Sequence, residues 1–138
     1  MVKFSWKRFL QPFLFPAVVY FFQLMAQIFF HIYEVFPDFD IPMHFLGGVS
    51  IGITVCLLLK YFTELKLIEI RQWALYMIYQ ISLVACVAVL WEFHEFLVDQ
   101  ILGTNIQVGI PDTMLDLFLG MLGGLTSALV FWRFSRKK

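Results

Sequence analysis

Residues 40–61 read DIPMHFLGGVSIGITVCLLLKY, an apolar run interrupted by only two charged side chains, Asp40 and Lys60, and one imidazole, His44. From position 42 to 61 it has the length, about 20 residues, that an α-helix needs to cross a hydrocarbon core about 30 Å thick. In lipid such a run is helical, because no water is present to satisfy an open backbone. Reading outward, stretches of the same kind cover residues 9–30, 73–97 and 111–133. The expected fold is therefore all-α: a polytopic membrane protein, one integral membrane domain over residues 1–138, built as a four-transmembrane-helix bundle. Composition agrees, with 61% hydrophobic and 14% charged residues and a mean hydropathy of +0.81. Soluble domains carry about 45–50% apolar and about 25% charged residues. The apolar segment after Lys3, Lys7 and Arg8 is too long for a signal peptide and has no small-residue cleavage site, so it reads as a retained span.

Charge divides the chain into two sides. All ten Lys and Arg residues fall in the N-terminal tail, the loop between the second and third spans, or the C-terminal tail. The positive-inside rule then places both termini in the cytoplasm. Eight acids lie at the opposite ends of the spans: Glu34, Asp38, Asp40, Glu92, Glu95, Asp99, Asp112 and Asp116. Ten cations balance ten acids, and no Lys/Arg stripe interleaves with the aromatics, so nucleic acid is not an expected partner. The 17 Phe, 5 Tyr and 4 Trp suit contact with a lipid bilayer and its interfaces. Cys56 and Cys86 lie in apolar runs and form no ligand or disulfide pattern.

The second and fourth spans begin alike. Asp40, His44, Gly48 and Gly52 recur 72 residues later as Asp112, Asp116, Gly120 and Gly124. At the same offset Gln23 and Gln27 of the first span align with Glu95 and Asp99 of the third. The layout is consistent with two tandem helical hairpins related by an axis along the membrane normal. The two GxxxG pairs are small-xxx-small packing sites, which also permit a homodimer without requiring one.

Helical spacing gathers the polar groups. Asp40 and His44 are about 40° apart on their helix, as are Asp112 and Asp116, while Glu92, Glu95 and Asp99 fall within about 60°. His94 points about 130° away from that trio, so it is expected on another surface. Counting inward from the cytoplasmic cations puts His44, Glu92 and Asp116 about 24–31 Å from them, near the outer edge of the core. Acidic groups at that level turn toward partners or a cavity, and no Lys or Arg stands on that side to meet them.

A bound cation, a shared proton network or exposure to external water would each relieve the crowding. The metal reading has His44, Glu92, Glu95 and Asp116 as ligands, with Asp40 or Asp112 as the catalytic group orienting a water. An oxygen-rich set with one nitrogen suits Mg, Mn, Fe or Zn. The expected function is then a metal-dependent activity on an amphiphilic or envelope-associated substrate. A proton- or cation-coupled small carrier would use the same carboxylates, and a noncatalytic accessory or assembly protein would need none of them. In the plainest reading Asp40 and Asp112 cap helix starts. No nucleophile elbow, P-loop or dinucleotide-binding glycine pattern is present.

The stretches Asp40-x3-His44-Phe45, Trp91-Glu92-x2-Glu95-x3-Asp99 and Asp112-Thr113-x2-Asp116 resemble the YjdF-like family of bacterial inner-membrane proteins, and more distantly the VanZ-like family. The likeness spans residues 40–124. It implies a multi-pass protein of the bacterial cytoplasmic membrane. In the VanZ-like pattern an Asp and a His open one helix, a Glu and a Gln end the next, and an Asp opens the last. His44, Glu92 and Asp116 occupy those places, Glu95 stands where Gln is usual, and the loop before Asp112 has no Arg. The VanZ-like family is associated with glycopeptide resistance, without a reaction that the pattern reveals.

Overall fold

The computed structural model describes residues 2–135. Of the ten Lys and Arg residues, Arg136, Lys137 and Lys138 lie outside the described residues. The regular structure of the described chain is all helical, without strands: α1 (Trp6–Leu10), α2 (Leu14–Phe30), α3 (Ile32–Val35), α4 (Asp40–Glu64), α5 (Trp73–Leu102) and α6 (Ile110–Ser135). Four segments are long and apolar enough to cross a membrane: Trp6–Phe30, Pro37–Glu64, Trp73–Leu102 and Ile110–Arg133. The four expected spans are all present, and each runs further than its apolar stretch. Helix α5 passes Glu92, Glu95 and Asp99 before Gly103 stops it in the left-handed conformation, which glycine adopts without a Cβ penalty. The acids extend the helix because they keep its spacing, although they end its hydropathy.

Pro12 makes the first span irregular. A 3₁₀ turn at Gln11–Phe13 separates α1 from α2, as a residue without an N–H demands. The Thr54 hydroxyl donates to the Pro12 carbonyl at 2.8 Å and ties this turn to α4. At the end of the bundle that holds the N-terminus, Arg8 pairs with Glu64 at 2.5 Å and lies over the Tyr61 ring. Tyr61 in turn accepts the Ser5 N–H at 2.6 Å. Only 6% of the first span's apolar window is buried in the fold, so nearly all of its aromatic surface is left for lipid.

Helices α4 and α6 form the centre, α2 packs on α4, and α5 packs chiefly on α6. Glycine permits the central contact. A Cβ on Gly48 would strike the Gly120 backbone, one on Gly123 would strike the Phe45 carbonyl, and one on Gly124 would strike Val84 of α5. The GxxxG faces offered by the sequence to a second copy are therefore occupied by each other inside one chain. The facing pairs are those of the 72-residue offset: Gly48 meets Gly120, Gly52 approaches Gly124, and His44 meets Asp116. Such self-pairing of matched positions is what an axis between α4 and α6 requires.

Gly47 and Gly48 are adjacent but differ in surroundings, since nothing lies within 4 Å of a Cβ on Gly47. Gly48→Ala should therefore destabilise the bundle by about 1–3 kcal/mol through overpacking. Gly47→Ala should be neutral or stabilising by up to about 1 kcal/mol through helix propensity. Unfolding of the two purified variants in mixed detergent micelles measures both.

Candidate functional site

The α4–α6 register determines the site. One turn outward from Gly48 and Gly120, the side chains of His44 and Asp116 meet, with Nε2 3.7 Å from Oδ1. The same Nε2 lies 3.4 Å from Oδ1 of Asp40, one turn earlier on α4. The His44 and Asp116 side chains are 9% and 4% exposed, whereas Asp40 is 25% exposed. Asp40 thus marks the way out of the bundle.

Helix α5 supplies the other half. Glu92 and Glu95, both buried, lie one turn apart on its inner face. Glu95 accepts the indole N–H of Trp91 at 2.8 Å, and Glu92 accepts the Gln107 amide at 3.2 Å. Two groups of donor atoms result, each within 4.8 Å of one another: Asp40, His44 and Asp116, and His44, Glu92 and Glu95. His44 belongs to both. Ligands at about 2.0–2.2 Å from an ion stand up to about 4.4 Å apart, so modest side-chain adjustment closes either group on a divalent cation. The donor chemistry, carboxylate oxygens with one imidazole, fits Mg, Mn, Fe(II) or Zn.

The first helical hairpin contributes residues that span reading and helical spacing did not assign. His31 adopts a left-handed conformation at the end of α2, and this turn folds Tyr33 back against the site. The Tyr33 hydroxyl accepts the Gln23 amide at 2.6 Å and donates to Asp40 at 3.5 Å. The Tyr33 N–H donates to the Gln27 side chain at 3.3 Å. Burial, and then the Asp40 carboxylate, hold the Tyr33 hydroxyl above its ordinary range, so it remains a proton donor to that carboxylate at any physiological pH. Gln23 and Gln27, one turn apart in an otherwise apolar span, were the available signal. Tyr33 sits in a short turn with no periodicity to reveal it.

Two of the expected acids work elsewhere. Asp112 does not join either donor group; its carboxylate reaches back to the Val108 N–H at 3.4 Å, at the start of α6. Asp99 anchors the loop after α5, accepting the Thr104 hydroxyl at 2.7 Å and the N–H groups of Ile106 and Gln107 at 2.8 and 2.9 Å. That loop is what brings the Gln107 amide to Glu92. Asp40 is the first residue of α4, after the N-cap Phe39, and its carboxylate faces His44 and Tyr33. His94 is exposed and stacks near Trp91, on the separate surface that its angle implied. His31 pairs with Glu34 in the open.

Asp99→Ala should free the loop without unfolding the bundle. Losing a charged acceptor costs each donor about 1.5–3 kcal/mol, so exchange at the Ile106 and Gln107 amides should accelerate about tenfold or more, as read by hydrogen–deuterium exchange. Unchanged exchange would remove Asp99 from the loop's support.

Comparison with known proteins gives a lineage and no chemistry. The family model described as "Predicted membrane protein (DUF2238)" matches residues 4–137. An uncharacterised protein of Thermotoga maritima is 32% identical over 121 residues, which cover 83% of this chain and 58% of that protein. The chain thus spans less than two thirds of the length of this curated relative. No solved structure matches it. With four apolar spans and a family match over almost its whole length, the chain belongs to the DUF2238 family of predicted membrane proteins.

Proposed function

We propose that this multi-pass membrane protein holds a divalent metal ion at its external face and uses it on an amphiphilic or envelope-associated substrate. One observation carries the reading: four carboxylates, Asp40, Glu92, Glu95 and Asp116, share a single imidazole in two groups, the donor atoms within each group lying within 4.8 Å of one another. The described cations lie toward the other ends of the helices, and Arg8 is already paired with Glu64. A cluster this negative at the edge of the hydrocarbon core calls for a countercharge, and an ion supplies it. His44, Glu92, Glu95 and Asp116 are the proposed ligands. Asp40, the most exposed member, is the proposed orienter of a water, supported by Tyr33. Asp112 leaves that role because it serves the start of α6. A bound ion would act as Lewis acid and lower the pKa of a coordinated water.

The asymmetry of the ten cations supports an orientation with both termini cytoplasmic. The resemblances to YjdF-like and VanZ-like proteins support a bacterial cytoplasmic membrane. A homodimer through the GxxxG faces is not included, since those faces are filled within the chain.

A second reading, the proton- or cation-coupled carrier, is favoured by one observation. Gln80 is fully buried, donates to the Gly52 carbonyl at 2.8 Å, and leaves its own Oε1 without a partner. Buried Ser50, Thr54 and Ser127 continue polar groups along α4 and α6 below the carboxylates. Polar groups at such depth mark ion or proton pathways.

Metal analysis separates the two. The full chain, purified in detergent, stripped and then reconstituted with Mn, Fe, Zn or Mg, should retain about one ion. Glu92→Gln and His44→Ala should each weaken retention at least about tenfold, a loss seen even for partners one shell further out. Wild type that holds no more metal than Glu92→Gln overturns the metal reading. Substrate-dependent proton uptake by metal-free protein in liposomes would then favour the carrier.

A further inference from the structure

Directly inward of the carboxylate cluster lies a cavity of about 110 Å³ bounded by α2, α4, α5 and α6. Its outer end is polar, formed by His44, Asp116 and Gln23, and its body is lined by Val19, Val87 and Ala88. Helices α2 and α5 do not pack closely on one another; across that gap their Tyr20 and Trp91 rings touch edge to face at 5.7 Å. The cavity therefore faces the bilayer between α2 and α5, below a polar mouth.

Water does not account for the apolar part. A buried water needs two to four polar partners, and the hydroxyl of Ser50, which also lines this space, is already bonded to the Gly47 carbonyl at 2.7 Å. An empty apolar cavity of about 150 Å³ accepts a molecule the size of benzene. A cavity of about 110 Å³ thus suits a segment of one hydrocarbon chain and not two side by side.

The head of such a molecule would sit among carboxylates. Asp116 and His44 border the cavity itself, Asp40 lies 3.4 Å from His44, and Glu92 and Glu95 complete the ring around the imidazole. No Lys or Arg among the described residues lies at this end of the helices. One divalent ion held there would still leave negative charge in excess. Without the ion an anionic head is repelled by the carboxylates, while an ammonium group finds acceptors at Asp116 and the Gln23 side-chain oxygen.

We infer that the cavity beneath His44 and Asp116 seats the single hydrocarbon chain of an amphiphile whose head is an amine. This deepens the metal-centred reading, on which it rests only for the role of the polar end as the reacting end. It names the substrate class that the cavity and the charge select.

The test uses two photoreactive probes of one chain length, hexadecylamine and hexadecyl phosphate, each with a mid-chain diazirine. They are applied to the full chain in nanodiscs with a chelator present. The expected result is saturable labelling by the amine probe on peptides carrying Val19 or Val87, competed by unlabelled hexadecylamine, with the phosphate probe at background. Val87, 37% exposed, tolerates a larger side chain, so Val87→Trp should fold and reduce amine labelling to the competed level. Val19→Trp on the facing wall is the second blocking variant. Asp116→Asn should weaken amine labelling about tenfold, the worth of a charged hydrogen bond. Phosphate labelling equal to amine labelling, or amine labelling unchanged in a folded blocking variant, overturns the inference. Metal content measured on the same preparations keeps the two claims apart. Retained metal with no saturable amine labelling defeats only this inference, and labelling without metal affinity defeats only the metal reading.

Discussion

The bare backbones of α4 and α6 touch at Gly48 and Gly120, and the rest of the structure is built around that contact. Two transmembrane helices approach this closely only where side chains are absent. Close approach also fixes register, and register decides which residues one turn outward face one another. His44 and Asp116 do. Toward the other end of the bundle the same seam seats Val84 of α5 against Gly124 and presents the Gly52 carbonyl to Gln80. The third span is thereby held at the height that delivers Glu92 and Glu95 to the imidazole.

A polar cluster at this depth is costly unless its members are satisfied, and the outer shell shows how the fold meets that demand. Trp91 donates to Glu95, Gln107 to Glu92, and Tyr33 to Asp40. Each donor arrives by a different device: a neighbouring helical turn, a loop tied down by Asp99, and a left-handed turn at His31. The first span enters the site through Gln23 and Gln27 alone, while its aromatic faces remain against lipid. That division explains how a helix so little buried still matters to the site.

Much of this was legible before any coordinates. Hydropathy is a one-dimensional signal, so the four spans could be read directly. Depth and angle follow from the regular rise and rotation of a helix, which is why His44, Glu92, Glu95 and Asp116 could be brought to one level and His94 turned away. What escaped lies where the chain is not periodic. Whether Asp112 faced its neighbours or its own loop depended on the conformation of residues 103–109. Asp99 faced the same ambiguity, and only the loop's folding back onto it gave the answer. Tyr33 depended on one left-handed residue, His31, for which no glycine or asparagine gave warning. The glycine pairs were recognised as packing sites, but pattern alone does not say whether the partner is the same chain or another copy.

The account stands or falls on the convergence of α4 and α6 at the carboxylate-rich end of a single chain. The most direct measurement is crosslinking in native membranes, with Cys56→Ala and Cys86→Ala removing the native thiols. One cysteine pair is placed by His44→Cys with Asp116→Cys, and a control pair by His94→Cys with Asp116→Cys. A short thiol-to-thiol reagent should bridge the first pair within one chain, seen by intact mass, and leave the control unbridged. Bridging of the control, or none between positions 44 and 116, would contradict the site described.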